Sequence, residues 1–285
     1  MAVAVEIRER VAQRLAAVEA EEHVRILLAV ESGSRAWGFP SADSDYDVRL
    51  IYVHPKPWYL SIDLDGRRDV IERPCIDLID LSGWDIRKAL GLFARSNPPL
   101  LEWLDSPIVY ADRMGFAGRL RRMLADYFSP VGAVYHYLQM ARGNFRSYLQ
   151  GDRVRVKKYF YVLRPLLAAR WVEQDRGPVP MLFSTLLDTV RGQVALGEAI
   201  AALLAEKLSG AELDEGHRVP VLHEFIVAEL GRLESVAGSQ PKVRGESEPL
   251  NQLFREYVDR AWSEAPDAEP GAAADGGGMS ALWNS

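Results

Sequence analysis

At 285 residues the chain can form one large domain or two modest ones around a substantial core, and its 48% hydrophobic and 26% charged content is that of an ordinary globular protein. A net charge of −6 excludes a polycation that coats nucleic acid through long-range attraction, so a nucleic-acid partner would need a local basic patch. The single cysteine, Cys75, excludes an intrachain disulfide, fits a reducing compartment and reads as a small core residue.

In chain order, Val5 to Glu21 mixes alanine, arginine and glutamate in the manner of a helix and lacks a charged-then-apolar leader pattern. No apolar run approaches the roughly 20 residues that span a bilayer, so no membrane partner and a cytoplasmic location are expected. Val24 to Val30 (VRILLAV) is short, aliphatic and branched, as a buried strand is; Val48 to Val53 (VRLIYV) is a second such run. Between them lie Gly33-Ser34, ten further residues, and then Asp45-Tyr46-Asp47. Glycine lets backbone approach a phosphate, serine adds a hydroxyl donor, and a helix starting there would turn free N–H groups toward an anion. Residues i and i+2 of a strand share a face, so Asp45 and Asp47 can bind hard cations together.

A site of that kind takes a third carboxylate from a neighbouring strand. The strand-like run Ile76 to Leu81 offers Asp77 and Asp80, whose spacing of three puts them on opposite faces. Asp80 is favoured because it ends the run just before Ser82-Gly83; Asp77 stays open. Ahead of this run, Tyr59 to Leu64 and Arg67 to Glu72 flank Asp65-Gly66 and predict a hairpin turning at that dipeptide. Asp85 to Arg95 predicts a helix with Leu90, Phe93 and Ala94 on its apolar side and Lys88 as a phosphate-contact candidate. Ser96-Asn97-Pro98-Pro99 stops it, because proline disfavours helix at the preceding residue. Leu100 to Leu104 is another short apolar segment.

From about Met114 the pattern turns helical: Arg119 to Phe128, Val131 to Leu149, Lys157 to Gln174, Met181 to Ala205 and Val219 to Val236. Three regions follow: a catalytic α/β domain over 1–113, a helical domain over 114–262, and a tail over 263–285 too poor in apolar residues to order, with Trp283 near its end. Basic residues bunch at Arg153, Arg155, Lys157, Lys158 and Arg164, interleaved with Tyr159, Phe160 and Tyr161. Helical spacing places Arg153, Lys157 and Tyr161 on one stripe, a cation-aromatic surface able to hold a triphosphate or stack a base. Other chemistries fare poorly. Phe39-Pro40 stand where a Walker loop needs lysine and a hydroxyl, His217 and His223 lack zinc-site company, and no Gly-x-Ser-x-Gly elbow occurs.

The Gly-Ser pair, the ten-residue gap and Asp-x-Asp together resemble the nucleotidyltransferase superfamily typified by DNA polymerase beta. Narrower stretches are similar to a bacterial and phage family of nucleotidyltransferases that includes a member of an RNA repair pathway. They are Glu31-Ser32-Gly33-Ser34-Arg35-Ala36-Trp37-Gly38-Phe39, Asp45-Tyr46-Asp47-Val48-Arg49, Gly83-Trp84-Asp85-Ile86-Arg87-Lys88-Ala89-Leu90 and Lys157-Lys158-Tyr159-Phe160-Tyr161-Val162-Leu163-Arg164-Pro165, with Ser96-Asn97-Pro98, Glu102-Trp103-Leu104 and Ser106-Pro107-Ile108-Val109-Tyr110 between. The resemblance covers residues 23 to 262 and implies an α/β (α+β) polymerase-beta-like domain with a mixed sheet, followed by a mostly helical region. It implies transfer of a nucleoside monophosphate from a nucleoside triphosphate, with two magnesium (Mg2+) ions on Asp45 and Asp47 and with Asp80 as the third metal ligand. Asp80 would orient or deprotonate an acceptor hydroxyl. Gly33, Ser34 and Arg35 would hold phosphates, assisted by Lys88, Lys157, Lys158 and Tyr161. An RNA end, a protein hydroxyl and a small molecule such as an aminoglycoside are the acceptors in view, and RNA rests on the resemblance alone. A catalytically idle nucleotide sensor or toxin partner is the alternative class, against which the paired aspartates count. Which triphosphate is used and the oligomeric state are open.

Overall fold

The computed structural model describes residues 3–209, 215–239 and 242–263. The first part of the chain runs α1 (Val5–Glu22), β1 (Arg25–Glu31), α2 (Gly33–Trp37), β2 (Tyr46–Val53), α3 (Lys56–Tyr59), β3 (Val70–Ile76), β4 (Ile79–Asp85), α4 (Ile86–Phe93), α5 (Pro98–Leu104), β5 (Val109–Asp112) and α6 (Phe116–Tyr127). The rest is α7 (Pro130–Tyr148), β6 (Arg153–Val154), α8 (Tyr159–Glu173), α9 (Phe183–Leu186), α10 (Val194–Leu208), β7 (Gly216–His217), α11 (Pro220–Val236) and α12 (Ser247–Arg260). This is a mixed α/β molecule with a predominantly helical second half, as expected.

Five strands form one sheet in the order β3-β4-β2-β1-β5. β2 and β4 are parallel, whereas β1 pairs antiparallel with β2 and β5, and β3 antiparallel with β4. Alternation along β2 assigns its faces. Val48, Leu50 and Tyr52 pack with Val11, Leu15 and Val18 of α1, while Ile51 and Val53 join Ile86, Ala89 and Phe93 of α4. Asp45, Asp47 and Arg49 therefore share the parity of Ile51 and Val53. Leu250, Leu253 and Tyr257 of α12 return to this second face, as do Phe116 and Leu120 of α6. A separate core joins α7, α8, α9, α10 and α11, and Phe39, just after α2, is buried in it.

Several local expectations are corrected. The hairpin turns at Asp77-Leu78, not at Asp65-Gly66: both residues have positive φ, 51° and 62°, as a tight turn between twisted strands requires. Leu64–Gly66 is instead a single 3-10 turn after α3. The run Ile76 to Leu81 is thus split across that turn, and β4 begins at Ile79. Cys75 is exposed rather than in the core, because β3 lies at the sheet edge and its last residues are exposed. Met181 to Ala205 is not one helix; α9, a 3-10 turn over Leu187–Val190 and α10 divide it. Leu100 to Leu104 is the body of α5, whose first turn is capped by the Asn97 side chain accepting from the Leu100 N–H at 3.3 Å. The tail expected from Glu264 onward, Trp283 included, lies outside the described residues. Among the described residues no helix is long and apolar enough to cross a membrane.

Candidate active site

β1 ends in Glu31, and the chain enters α2 through Gly33 at φ +60°, a left-handed conformation that glycine adopts without strain. The glycine has a second reason: a methyl group added there would collide with the Asp47 carboxylate. The backbone closes the approach, since the Ser32 N–H donates to the Asp47 carbonyl at 2.8 Å. The Gly-Ser turn and the Asp-x-Asp strand are thus in direct contact.

The loop carrying Asp45 is built by Arg35. Its Nε donates to the Asp45 carbonyl at 3.1 Å and Nη2 to the Ser44 carbonyl at 2.6 Å, and the guanidinium sits 3.8 Å from the Tyr46 ring centroid. Ser41 and Ser44 tie the loop from the other end, hydroxyl to hydroxyl at 2.9 Å. Arg35 is therefore committed to the backbone of the acid loop.

Beneath the site is a fully buried acid, Glu31. Its carboxylate accepts the Asp47 N–H at 2.9 Å and the Tyr110 hydroxyl at 2.5 Å. Burial pushes its carboxyl up to about 7, against these two hydrogen bonds. Asp47 is also raised, first by burial and then by the charges of Asp80 and Asp45, with Arg49 opposing. Arg49 makes the link between strands. Its Nη2 donates at 2.8 Å both to Asp47 Oδ1 and to Asp80 Oδ2. The parallel register sets Asp47 directly opposite Asp80, on the same face. Asp77, by contrast, is in the hairpin turn, mostly exposed, with Arg10 at 3.9 Å.

A cleft of about 270 Å³ opens between this end of the sheet and the helical half. Ser34, Asp45 and Asp47 line one side; Lys157, Phe160 and Tyr161 line the other, with Trp37 and Phe39 between. Two charged residues there carry no sequence signal as site residues: Asp43, in the acid loop, and Lys207, at the end of α10. Burial, with the nearby Lys157 charge, lowers the Lys207 ammonium. Glu31 was legible in principle, as the one acid closing an aliphatic strand. Lys207 was not, because nothing local relates the last turn of α10 to a loop near the N-terminus.

The remaining predicted residues stand apart from the cleft wall. Lys158 points over the rings of Tyr148 and Tyr161. Lys88 is on α4, paired with Asp69 at 2.9 Å, and lines a different cavity with Trp58, Arg87 and Arg95. Among the described residues, no three acidic, histidine or cysteine side chains form a metal cage by themselves. Carboxylate oxygens gathered beside a hydroxyl and lysines make a site suited to hard cations and phosphates.

The chain is 46% identical over 259 residues, 90% of its length and 99% of the relative's, to uncharacterized protein YcgL of Bacillus subtilis (strain 168). Against the crystal structure of a nucleotidyltransferase-like protein from Exiguobacterium sibiricum 255-15, 86% of this chain aligns with 79% of that one at 14% identity and a TM-score of 0.31, too weak a likeness to bear on detail. The sequence profile of RlaP, described as the RNA repair pathway DNA polymerase beta family, matches residues 7–256. The chain belongs to this RNA repair pathway DNA polymerase beta family, and its function is accordingly nucleotidyltransferase-like.

Proposed function

We propose that the protein transfers a nucleoside monophosphate from a nucleoside triphosphate to an acceptor hydroxyl and releases pyrophosphate, with magnesium as the required metal. The contact of Gly33 with the Asp47 carboxylate carries this reading, because it brings the serine turn and both aspartates to one cleft. The donor set fits magnesium, which binds through one or two carboxylates plus substrate phosphates and keeps several waters. Asp47 is raised first by burial and then by the charges of Asp80 and Asp45, and that repulsion is of the kind a cation relieves. When bound, two magnesium ions would supply charge stabilisation to both the attacking and the leaving oxygen.

The chain's own residues do the rest. Asp45 and Asp47 would hold the metals, and Arg35 keeps the Asp45 loop in place. The Ser34 hydroxyl donates to the outer phosphates, while Lys157 and Lys207 meet them from the helical side. Asp80, held beside Asp47 by Arg49, orients the acceptor hydroxyl and takes its proton. The acceptor oxygen then bonds to the α-phosphorus as the bond to the bridging oxygen breaks, and pyrophosphate leaves with that electron pair. Family membership favours an RNA end as acceptor.

The test incubates the protein with each labelled triphosphate, magnesium and single-stranded RNA, beside an Asp45→Ala/Asp47→Ala variant. Magnesium-dependent label in RNA from the wild type, and at least about a thousandfold less from the variant, is the expected result. Equal labelling by the two proteins would remove the aspartates from the mechanism.

A further inference from the structure

The loop and helix start after α7, with the β7 strand that pairs with β6, hold cations of two kinds. Arg153 and Arg218 have carboxylates nearby, Glu215 at 4.0 Å and Asp152 at 3.8 Å. Arg155 and Lys158 meet tyrosine rings instead, and no carboxylate among the described residues. Lys158 Nζ lies 4.7 Å from the Tyr148 centroid and 4.3 Å from that of Tyr161, and the Arg155 guanidinium lies 6.0 Å from Tyr148. Burial, then the like charges of Lys157 and Arg155, push the Lys158 ammonium down. Among the described residues, Arg155 and Lys158 thus carry positive charge with tyrosine rings rather than carboxylates beside them, in a chain whose net charge is −6. Tyr161 is 42% exposed and also lines the cleft, so this surface continues into the candidate active site.

Resting on the nucleotidyl-transfer reading, we propose that the Arg155–Tyr148–Lys158–Tyr161 stack receives the unpaired end of an acceptor RNA, phosphates on Arg155 and Lys158 and a base on Tyr161. The chemistry selects among acceptors. A phosphodiester strand brings anions to two cations that have no carboxylate beside them among the described residues, and its bases offer flat faces to an exposed tyrosine. A polycationic small molecule is repelled from the same place. A protein hydroxyl brings neither a row of phosphates nor a planar ring. Lys158, expected from sequence to touch the triphosphate, acts in this arrangement on the acceptor.

The test measures fluorescence anisotropy of a labelled single-stranded RNA of about 12 nucleotides on the full chain. Wild type is compared with Arg155→Ala/Lys158→Ala, Arg155→Glu/Lys158→Glu and Asp45→Ala/Asp47→Ala, all checked for unchanged melting temperature. The alanine pair should lose about tenfold or more in RNA affinity, the glutamate pair more, and the salt slope should fall by about 1.4 for two lost phosphate contacts. Triphosphate affinity, measured by equilibrium dialysis, should stay within about twofold, as two contacts made only to RNA require. The Asp45→Ala/Asp47→Ala protein should bind RNA like wild type. RNA affinity unchanged in both charge variants, loss of triphosphate affinity in its place, or no RNA binding by wild type would each overturn the proposal. RNA held through Arg155 and Lys158 by a protein that transfers nothing would sustain this surface and sink the catalytic reading instead.

Discussion

Gly33 bears two constraints at once, a left-handed φ and the Asp47 carboxylate pressed where a side chain would go. Gly33→Ala should cost about 1–2 kcal/mol from the backbone alone. It should also cut transfer by on the order of a hundredfold, since misplacing a reacting group by about 1 Å costs that much. The steady-state rate and the urea midpoint of the variant check the two effects separately. Asp85 offers a second test, remote from the cleft. It is buried, accepts the Tyr59 hydroxyl at 2.6 Å and caps α4 through the Arg87 N–H at 2.8 Å. Burial nevertheless raises its carboxyl to about 6. A folded-state pKa above the unfolded value of 3.8 means stability that is full below the unfolded value and lost as pH rises through about 6. Asp85→Asn keeps the cap acceptor and removes the titration. Relative to the variant, wild type should therefore lose about 3 kcal/mol between about pH 4 and about pH 8, read from urea melts at both. A difference of opposite sign would mean that the hydrogen bonds, not burial, dominate this carboxyl.

Among the elements, α8 joins the two halves. Arg164 on α8 is buried and donates to Glu102 of α5 at 2.6 Å, while Tyr137 of α7 donates to the same oxygen at 2.9 Å. Its guanidinium also lies 4.7 Å from the Trp37 ring of α2, the helix that begins at the Gly-Ser turn. Removing one partner of a buried pair strands the other, so Arg164→Met should destabilise by about 3–5 kcal/mol. Replacing both partners, Arg164→Met with Glu102→Leu, should recover much of that loss in thermal melts, because no uncompensated charge then remains. If the double variant is no more stable than the single, the ion pair is not the reason for the cost.

At the scale of the molecule, the last helix belongs to the first core. Leu250, Leu253, Tyr257 and Val258 of α12 are buried against the helices covering the sheet, and Tyr127 donates to the Glu246 carbonyl at 2.5 Å. Each such side chain contributes about 1.5–3 kcal/mol of burial, and the sum rivals the whole margin of a typical domain. A chain ending at Gly245 should therefore lose cooperative unfolding, seen as a broad, shallow melt by circular dichroism. A sharp transition near the wild-type temperature would show that the sheet and its first helices stand without α12.

The sequence by itself determined the elements whose cause is local. Strands at 24–30 and 48–53 follow from short aliphatic runs, and the helix at Asp85 to Arg95 from the spacing of its apolar side. The union of Gly33-Ser34 with Asp45 and Asp47 was legible because only the short helix α2 and one loop lie between them. Tertiary structure decided what depends on which strands and helices become neighbours. Period-two alternation says which face Asp80 takes, but only the parallel register of β2 and β4 sets it opposite Asp47 and across Arg49. The hairpin at Asp77-Leu78 hid because leucine rarely accepts a positive φ, and strand pairing overrides that local preference. Cys75 is exposed because its strand fell at an edge, and Lys207 reaches the cleft because α10 packs beside it. Neither position is written within a few residues of its own, since long-range contacts are set by the summed burial of the whole chain.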